Sequence, residues 1–224
     1  MTQSAKTTRS FCVLSALSGI LGVLMLIVSF SINAGPPPGS SAPELARFAE
    51  RSYRSVLWGA WLQAVGPIFV VLFAFALVHL CGAHRRISGW MTFFGATTLM
   101  IVNLIEVTFY ICALFTTPAG MTEVGIRLVD AVQHLYFIVS APALFVPLGI
   151  VLVNSSIIPR VLGYLALGLG GTFALVGMAS LLTLALPASV TSLGSIQGLW
   201  WLAAASSLLF RSGRISALNH PEEE

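Results

Sequence analysis

Six long apolar segments, separated by short polar ones, constrain the fold of this chain more than any other feature of its sequence. A helix needs about 20 predominantly apolar residues to cross the hydrocarbon core of a bilayer. Transmembrane strands would instead alternate polar and apolar residues over about ten positions, and that pattern is absent. The sequence therefore predicts six transmembrane helices, at residues 11–32, 55–80, 89–115, 128–153, 161–186 and 193–210.

The low content of charged residues excludes a soluble globular fold. Only 8% of the 224 residues are charged and 57% are hydrophobic, whereas soluble domains carry about 25% charged residues. So few charges cannot cover a surface that faces water. We expect an all-α polytopic membrane protein in which residues 1–224 form a single transmembrane domain.

The distribution of cations predicts the orientation. Cytoplasmic connections of membrane proteins carry an excess of lysine and arginine. With both termini on one side, seven cations fall on that side, namely Lys6, Arg9, Arg85, Arg86, Arg160, Arg211 and Arg214. The other side has four, which are Arg47, Arg51, Arg54 and Arg127. Both termini are therefore expected in the cytoplasm. The cations are too dispersed for a nucleic-acid surface, so no nucleic-acid partner is predicted.

The sequence also predicts the structure of two segments outside the spans. Residues 34–54 are predicted to form a proline-rich outside loop. Within it, Leu45, Phe48 and Ala49 recur at helical spacing, which suits a helix on the membrane surface; a plain polar loop is the alternative. Residues 212–224 are expected to form a disordered tail.

Small residues in span five predict a close helix–helix contact. Ala166, Gly170 and Ala174 recur every four residues, and such a stripe lets two helix backbones approach each other. We expect this stripe to pack inside the monomer rather than to form a dimer seam.

Polar residues inside the spans are the candidates for a functional site. A charge near the bilayer centre costs about 2.5–3.5 kcal/mol on insertion scales, and Glu106 lies about 15 Å inside span three, counted along the helix. Other polar side chains fall in the same half of the membrane. The predicted set is Gln63, Asn103, Glu106, Asp130, Gln133 and His134. One interpretation is a polar cavity, open to the outside, for an ion, a proton or a small polar ligand. The other is a group of structural hydrogen bonds near a wet interface.

The depths of Glu106 and His134 differ by only about 5 Å along their antiparallel helices. We therefore expect these two side chains to meet, directly or through one water. The sequence lacks the histidine spacing of catalytic zinc sites, the nucleophile motif of serine hydrolases and phosphate-binding glycine motifs. It predicts no catalytic residue, no metal site and no cofactor.

The start of span five, Ile158-Pro159-Arg160-Val161-Leu162-Gly163-Tyr164-Leu165-Ala166-Leu167, has a recognisable pattern. It resembles the Pro-Arg-x-Leu-Gly start of the fifth span in small bacterial six-span proteins that are grouped as a domain of unknown function. The six-span plan and the short Arg85-Arg86 loop are similar too, whereas the proline-rich first loop and Glu106 differ. The resemblance implies a bacterial inner-membrane protein and assigns no functional residue.

Three functions are consistent with these observations. The first is an integral membrane protein that binds or conducts a small solute, proton or ion. The second is a non-catalytic accessory subunit that contacts another membrane protein or a second copy of this chain. The third is an intramembrane enzyme acting on lipid. All three predict contact with the lipid bilayer.

Topology supplies the first testable prediction. In a variant without its three cysteines, single cysteines near Ser40 and Glu123 should react with an impermeant thiol reagent applied from outside. Cysteines near Arg86, Pro159 and Glu222 should react only after the membrane is permeabilised, because the cation count places them inside. Labelling of the two tails from opposite sides would show that one of the six spans is wrong.

Overall fold

A computed structural model describes residues 3–33, 40–115, 119–183 and 189–218. The elements in these ranges are helical: α1 (Gln3–Ile32), α2 (Ala42–Leu80), α3 (Ile87–Phe115), α4 (Ala119–Leu135), a π-helical turn (Tyr136–Ser140), α5 (Ala141–Val153), α6 (Arg160–Thr183) and α7 (Ser189–Leu218). The segment from α4 to α5 forms one span. With it, six helices are long and apolar enough to cross a membrane. The predicted all-α fold of six membrane helices is confirmed.

Several of these helices extend beyond the predicted spans, and α2 and α7 do so into the segments that were predicted to be a loop and a disordered tail. α2 begins at Ala42, where the backbone N–H of Ser41 donates to Glu44 Oε2 at 2.7 Å, a typical helix-start interaction. Residues 42–54 therefore continue directly into span two and form neither a loop nor a separate surface helix. α7 likewise continues to Leu218, into the segment expected to be disordered. Residues 34–39 of the predicted loop and 219–224 of the predicted tail lie outside the described residues.

The six spans close into a ring in which each packs against its neighbours in sequence. α7 completes the ring by packing on α1, antiparallel to it, since Gly19 faces Ala205 and Gly198 faces Val23. Arg211, near the end of α7, donates to the carbonyl of Ser156 between α5 and α6. The N-terminal end of α1 and the C-terminal end of α7 therefore lie at the same end of the bundle as the α2–α3 and α5–α6 connections. We call the opposite end the α3–α4 end.

Aromatic side chains fill the interior of the ring. Phe145 of α5 lies 5.2 Å from Trp200 and 5.4 Å from Trp201 between ring centroids. Phe73 of α2 and Phe173 of α6 complete this cluster, and all five side chains are buried. The indole N–H of Trp200 donates to the Leu162 carbonyl at 2.9 Å. The axis of the bundle is therefore packed with large apolar groups.

Glycine and serine allow α1 and α2 to touch through their backbones. A Cβ placed on Gly22 would stand 2.7 Å from the carbonyl oxygen of Gly66. On either side of this crossing, Ser18 donates to the Phe69 carbonyl at 2.9 Å and Ser29 donates to the Gly59 carbonyl at 2.7 Å. Close backbone approach and interhelical hydrogen bonds are the main means of helix association in lipid.

Prolines in span four explain its irregular middle. Pro142 has no N–H and its ring crowds the preceding turn. There the Ala141 N–H donates to the Tyr136 carbonyl five residues back, which makes the turn π-helical. Pro147 similarly leaves the Ala143 carbonyl without its helical donor. That carbonyl lies against Gly95 of α3, where any side chain would collide with it.

Span five packs on span four through glycines. Gly163, Gly170 and Gly177 of α6 face α5 and the π-helical turn, and a Cβ on Gly170 would stand 2.7 Å from Val146 Cγ2 and 3.0 Å from the Val146 backbone nitrogen. Ala166 is buried and Ala174 is half-buried. Gly171, next to Gly170, is exposed and has no atom within 4 Å of its Cβ position.

We expect Gly170→Leu to lower the melting temperature of the purified protein, because the new side chain must push α5 away. Overpacking of this kind costs about 1–3 kcal/mol. Gly171→Leu is the matched control, since it makes the same change one residue along and points away from the bundle. Equal melting temperatures for the two variants would contradict the α5–α6 contact.

Candidate functional site

Three polar side chains from three helices meet beside the filled core. Gln133 of α4 donates from Nε2 to Glu106 Oε1 of α3 at 3.1 Å. Gln63 of α2 lies beside the same carboxyl group. Glu106 is 8% exposed and Gln63 only 2%. Gln63 Nε2 makes no hydrogen bond within the described part of the chain. We call these three residues the Glu106 cluster.

The members of the cluster lie at the same height in the bundle. We count residues in each span from the end that is farther from the α3–α4 connection. Gln63 is then about 17 residues into α2, Glu106 about 19 into α3 and Gln133 about 20 into span four. These counts correspond to roughly 25–30 Å at 1.5 Å per residue. In α3 and in span four the cluster therefore lies nearer to the α3–α4 end than to the opposite end of the span.

The apolar pattern of α4 turns Gln133 towards α3. Val129, Val132 and Phe137 are buried, and with Gln133 they follow the three- and four-residue spacing of one helix face. Asp130, the residue after Val129, is exposed. Burial of the valines and phenylalanine thus fixes the rotation of α4 and brings the Gln133 amide to Glu106.

The hydrogen bonds of the described residues do not include a direct contact between Glu106 and His134, and contact through one water stays a prediction. His134 Nδ1 forms a hydrogen bond with the carbonyl oxygen of Asp130, one turn earlier in its own helix, at 2.8 Å. Gln133 takes the place beside Glu106. The two positions differ by about 100° around the helix axis, so similar depth does not make both of them face the same neighbour.

Asn103 and Asp130 also lie outside the Glu106 cluster. Asn103 is buried, but its Nδ2 donates to the carbonyl of Leu99 in the preceding turn of α3 at 2.9 Å. Asp130 is exposed and has Arg127 and His134 as its ionisable neighbours. Of the six predicted site residues, the structure therefore brings together Gln63, Glu106 and Gln133.

A narrow crevice lies one helical turn from the cluster, towards the α3–α4 end. Tyr110, four residues after Glu106 on α3, is one of its lining residues, and the lining surface is apolar. The others are Leu45, Phe48, Ala49, Val56, Ala113, Leu114 and Ile126. None of the six predicted residues lines this crevice. Where a polar cavity was expected, the described residues form an apolar crevice that reaches Tyr110.

A second polar contact was missing from the sequence-based prediction. The Tyr136 hydroxyl, in the π-helical turn, donates to Gln197 Oε1 of α7. Ser140 in the same turn is fully buried, and its Oγ makes no hydrogen bond with the described residues. Pro142 is the sequence signal for this irregular turn, because a proline disturbs the hydrogen bonds of the preceding residues.

The chemistry of the Glu106 cluster suits a proton or a small cation. The described residues contain no group of three histidine, cysteine, aspartate or glutamate side chains that could hold a metal ion. The cluster offers one carboxyl group and two amides. Carboxylate and amide oxygens are ligands for hard cations, and a carboxyl group can instead take up a proton.

Comparison with known proteins identifies no relative. No protein-family model, no curated protein and no solved structure matches the chain. The resemblance of residues 158–167 to a bacterial six-span family thus stays a prediction. The Glu106 cluster is therefore the basis for a functional proposal.

Proposed function

We propose that this integral membrane protein binds a proton or a small monovalent cation at Glu106, and that its role in handling a small solute or ion depends on this occupancy. The bilayer-spanning character follows from the six apolar helices. Beyond this, we propose the bound species, its site at Glu106 and a function that depends on the bound ion.

Within the described residues no basic side chain forms an ion pair with Glu106, and this observation carries the proposal. Glu106 is buried, and the polar side chains beside its carboxyl group are two neutral amides, Gln133, which donates to it, and Gln63. The ion pair found within the described ranges joins Arg127 to Glu123 elsewhere on α4. An uncompensated buried charge is costly, so such a group takes up a proton or pairs with a counter-ion.

The geometry also favours one route to the site. The axis of the ring is filled by Phe145, Trp200 and Trp201, whereas the Glu106 cluster lies between α2, α3 and α4. It lies closer to the α3–α4 end, where the crevice at Tyr110 begins. We therefore propose exchange from that end. With both termini in the cytoplasm of a bacterium, the α3–α4 end faces the outside of the inner membrane.

Carbodiimide labelling tests the occupancy of Glu106. Dicyclohexylcarbodiimide is apolar and reacts with protonated carboxyl groups. We expect mass spectrometry of the full-length protein in lipid to find an adduct at Glu106 whose yield rises as the pH falls. If the site also holds a cation, added sodium chloride should suppress labelling relative to choline chloride of equal ionic strength. Protection by sodium assigns a cation site, and its absence assigns a proton site.

Two variants make the labelling result specific. Glu106→Gln keeps the shape of the side chain but cannot be labelled, so its adduct should disappear. Glu50→Gln removes an exposed carboxyl group near the start of α2 and should leave the yield of the Glu106 adduct unchanged. Labelling of Glu106 that is absent at every pH, or that is independent of both pH and sodium, would contradict the proposal.

A further inference from the structure

The register of α3 against α4 brings a second pair of polar residues level with each other. Gly125 of α4 lies against Ala113 of α3, and Gln133 of α4 contacts Glu106 of α3. The two helices are therefore antiparallel, and residues between these contacts face each other in order. Tyr110 consequently lies level with Leu128–Asp130, about 6 Å nearer to the α3–α4 end than Glu106 at 1.5 Å per residue.

Tyr110 lies level with the exposed carboxyl group of Asp130 and one helical turn from the buried carboxyl group of Glu106. It shares a helix face with Glu106, because the two are four residues apart, and it is within electrostatic range of both Glu106 and Asp130. Asp130 is exposed on α4. Tyr110 also lines the crevice at the α3–α4 end. A phenol can donate its own proton and accept another on the same oxygen.

We propose that Asp130 and Tyr110 relay protons between the α3–α4 end of the bundle and Glu106. This inference rests on the proposed function, because it requires Glu106 to exchange a proton. In the inward step, Asp130 gives its proton towards the Tyr110 oxygen while the Tyr110 hydroxyl proton passes to the Glu106 carboxylate. Asp130 is left ionised, Glu106 becomes neutral and Tyr110 stays a phenol. Asp130 then takes up a new proton from water.

The surroundings of the two carboxyl groups support this direction. Arg127 and His134 lie beside Asp130 on α4, and Asp130 is exposed, whereas Glu106 is buried. Around Glu106, α2 contributes the neutral Gln63 and α4 the neutral Gln133. The π-helical turn contributes Tyr136, whose hydroxyl is already engaged with Gln197.

The test is the rate at which Glu106 takes up a proton after a rapid drop in pH. The readout is the infrared band of its protonated carboxyl group, in full-length protein in lipid, identified by its loss in Glu106→Gln. Tyr110→Phe removes only the hydroxyl group and should slow the uptake by about a hundredfold, within the range of a positioned proton-transfer group. Asp130→Asn should slow uptake too, without disturbing the fold, since the side chain is exposed.

Tyr136→Phe is the matched control, because it removes another tyrosine hydroxyl within electrostatic range of Glu106 that has no place in the relay. It should leave the rate unchanged. Slower proton uptake in both Tyr110→Phe and Asp130→Asn, with the same final intensity of the Glu106 band, supports the inference. Unchanged rates in both would overturn the relay while leaving proton binding at Glu106 intact. Absence of the Glu106 band at every pH would instead overturn the proposed function.

Discussion

The absence of hydrogen-bonding partners in lipid is the constraint on which the rest of this structure depends. Backbone polar groups within the spans must find their partners inside the bundle, and a buried polar side chain without a partner is costly. Backbone groups do so by forming helices, and Ser18 and Ser29 do so by donating to carbonyls of α2. The carboxyl group of Glu106 cannot be satisfied by its own helix, so it receives an amide from α4 and lies beside one from α2. The same constraint makes a carboxyl group without a basic partner a natural place for a proton or cation.

Much of the fold follows from the pattern of apolar runs and short connections alone. Long apolar runs of the required length specify six spans, and short connections make consecutive spans antiparallel neighbours. What hydropathy leaves open is where helices begin and bend. α2 starts at Ala42 because of the Ser41–Glu44 cap, a local interaction that has nothing to do with membrane depth. The π-helical turn depends on how Pro142 is accommodated by its neighbours, which the isolated sequence does not specify.

The candidate site was predictable in part, because the sequence specifies how deep a residue lies in its span but not which neighbouring helix it faces. Depth along a helix follows from counting residues, so Gln63, Glu106 and Gln133 could be placed at one level. Rotation about the helix axis decides whether Gln133 or His134 faces Glu106, and it depends on which side of α4 is buried. Val129, Val132 and Phe137 carry that signal in the sequence, at spacings of three and five residues. The role of Tyr110 depends on the register between α3 and α4, which the contact of Gly125 with Ala113 fixes.

Solid-state NMR of the protein in bilayers tests the central claim most directly, namely that Glu106 is a buried carboxyl group held by Gln133 and occupied by an exchangeable ion. With carbon-labelled glutamate and nitrogen-labelled glutamine, the account predicts a through-space cross-peak between the Glu106 carboxyl carbon and the Gln133 side-chain nitrogen. Glu106→Gln and Gln133→Leu assign the two partners of that peak. The Glu106 carboxyl signal should also shift with pH or on addition of sodium. A spectrum without the cross-peak, and with a Glu106 signal that responds to neither change, would contradict the account.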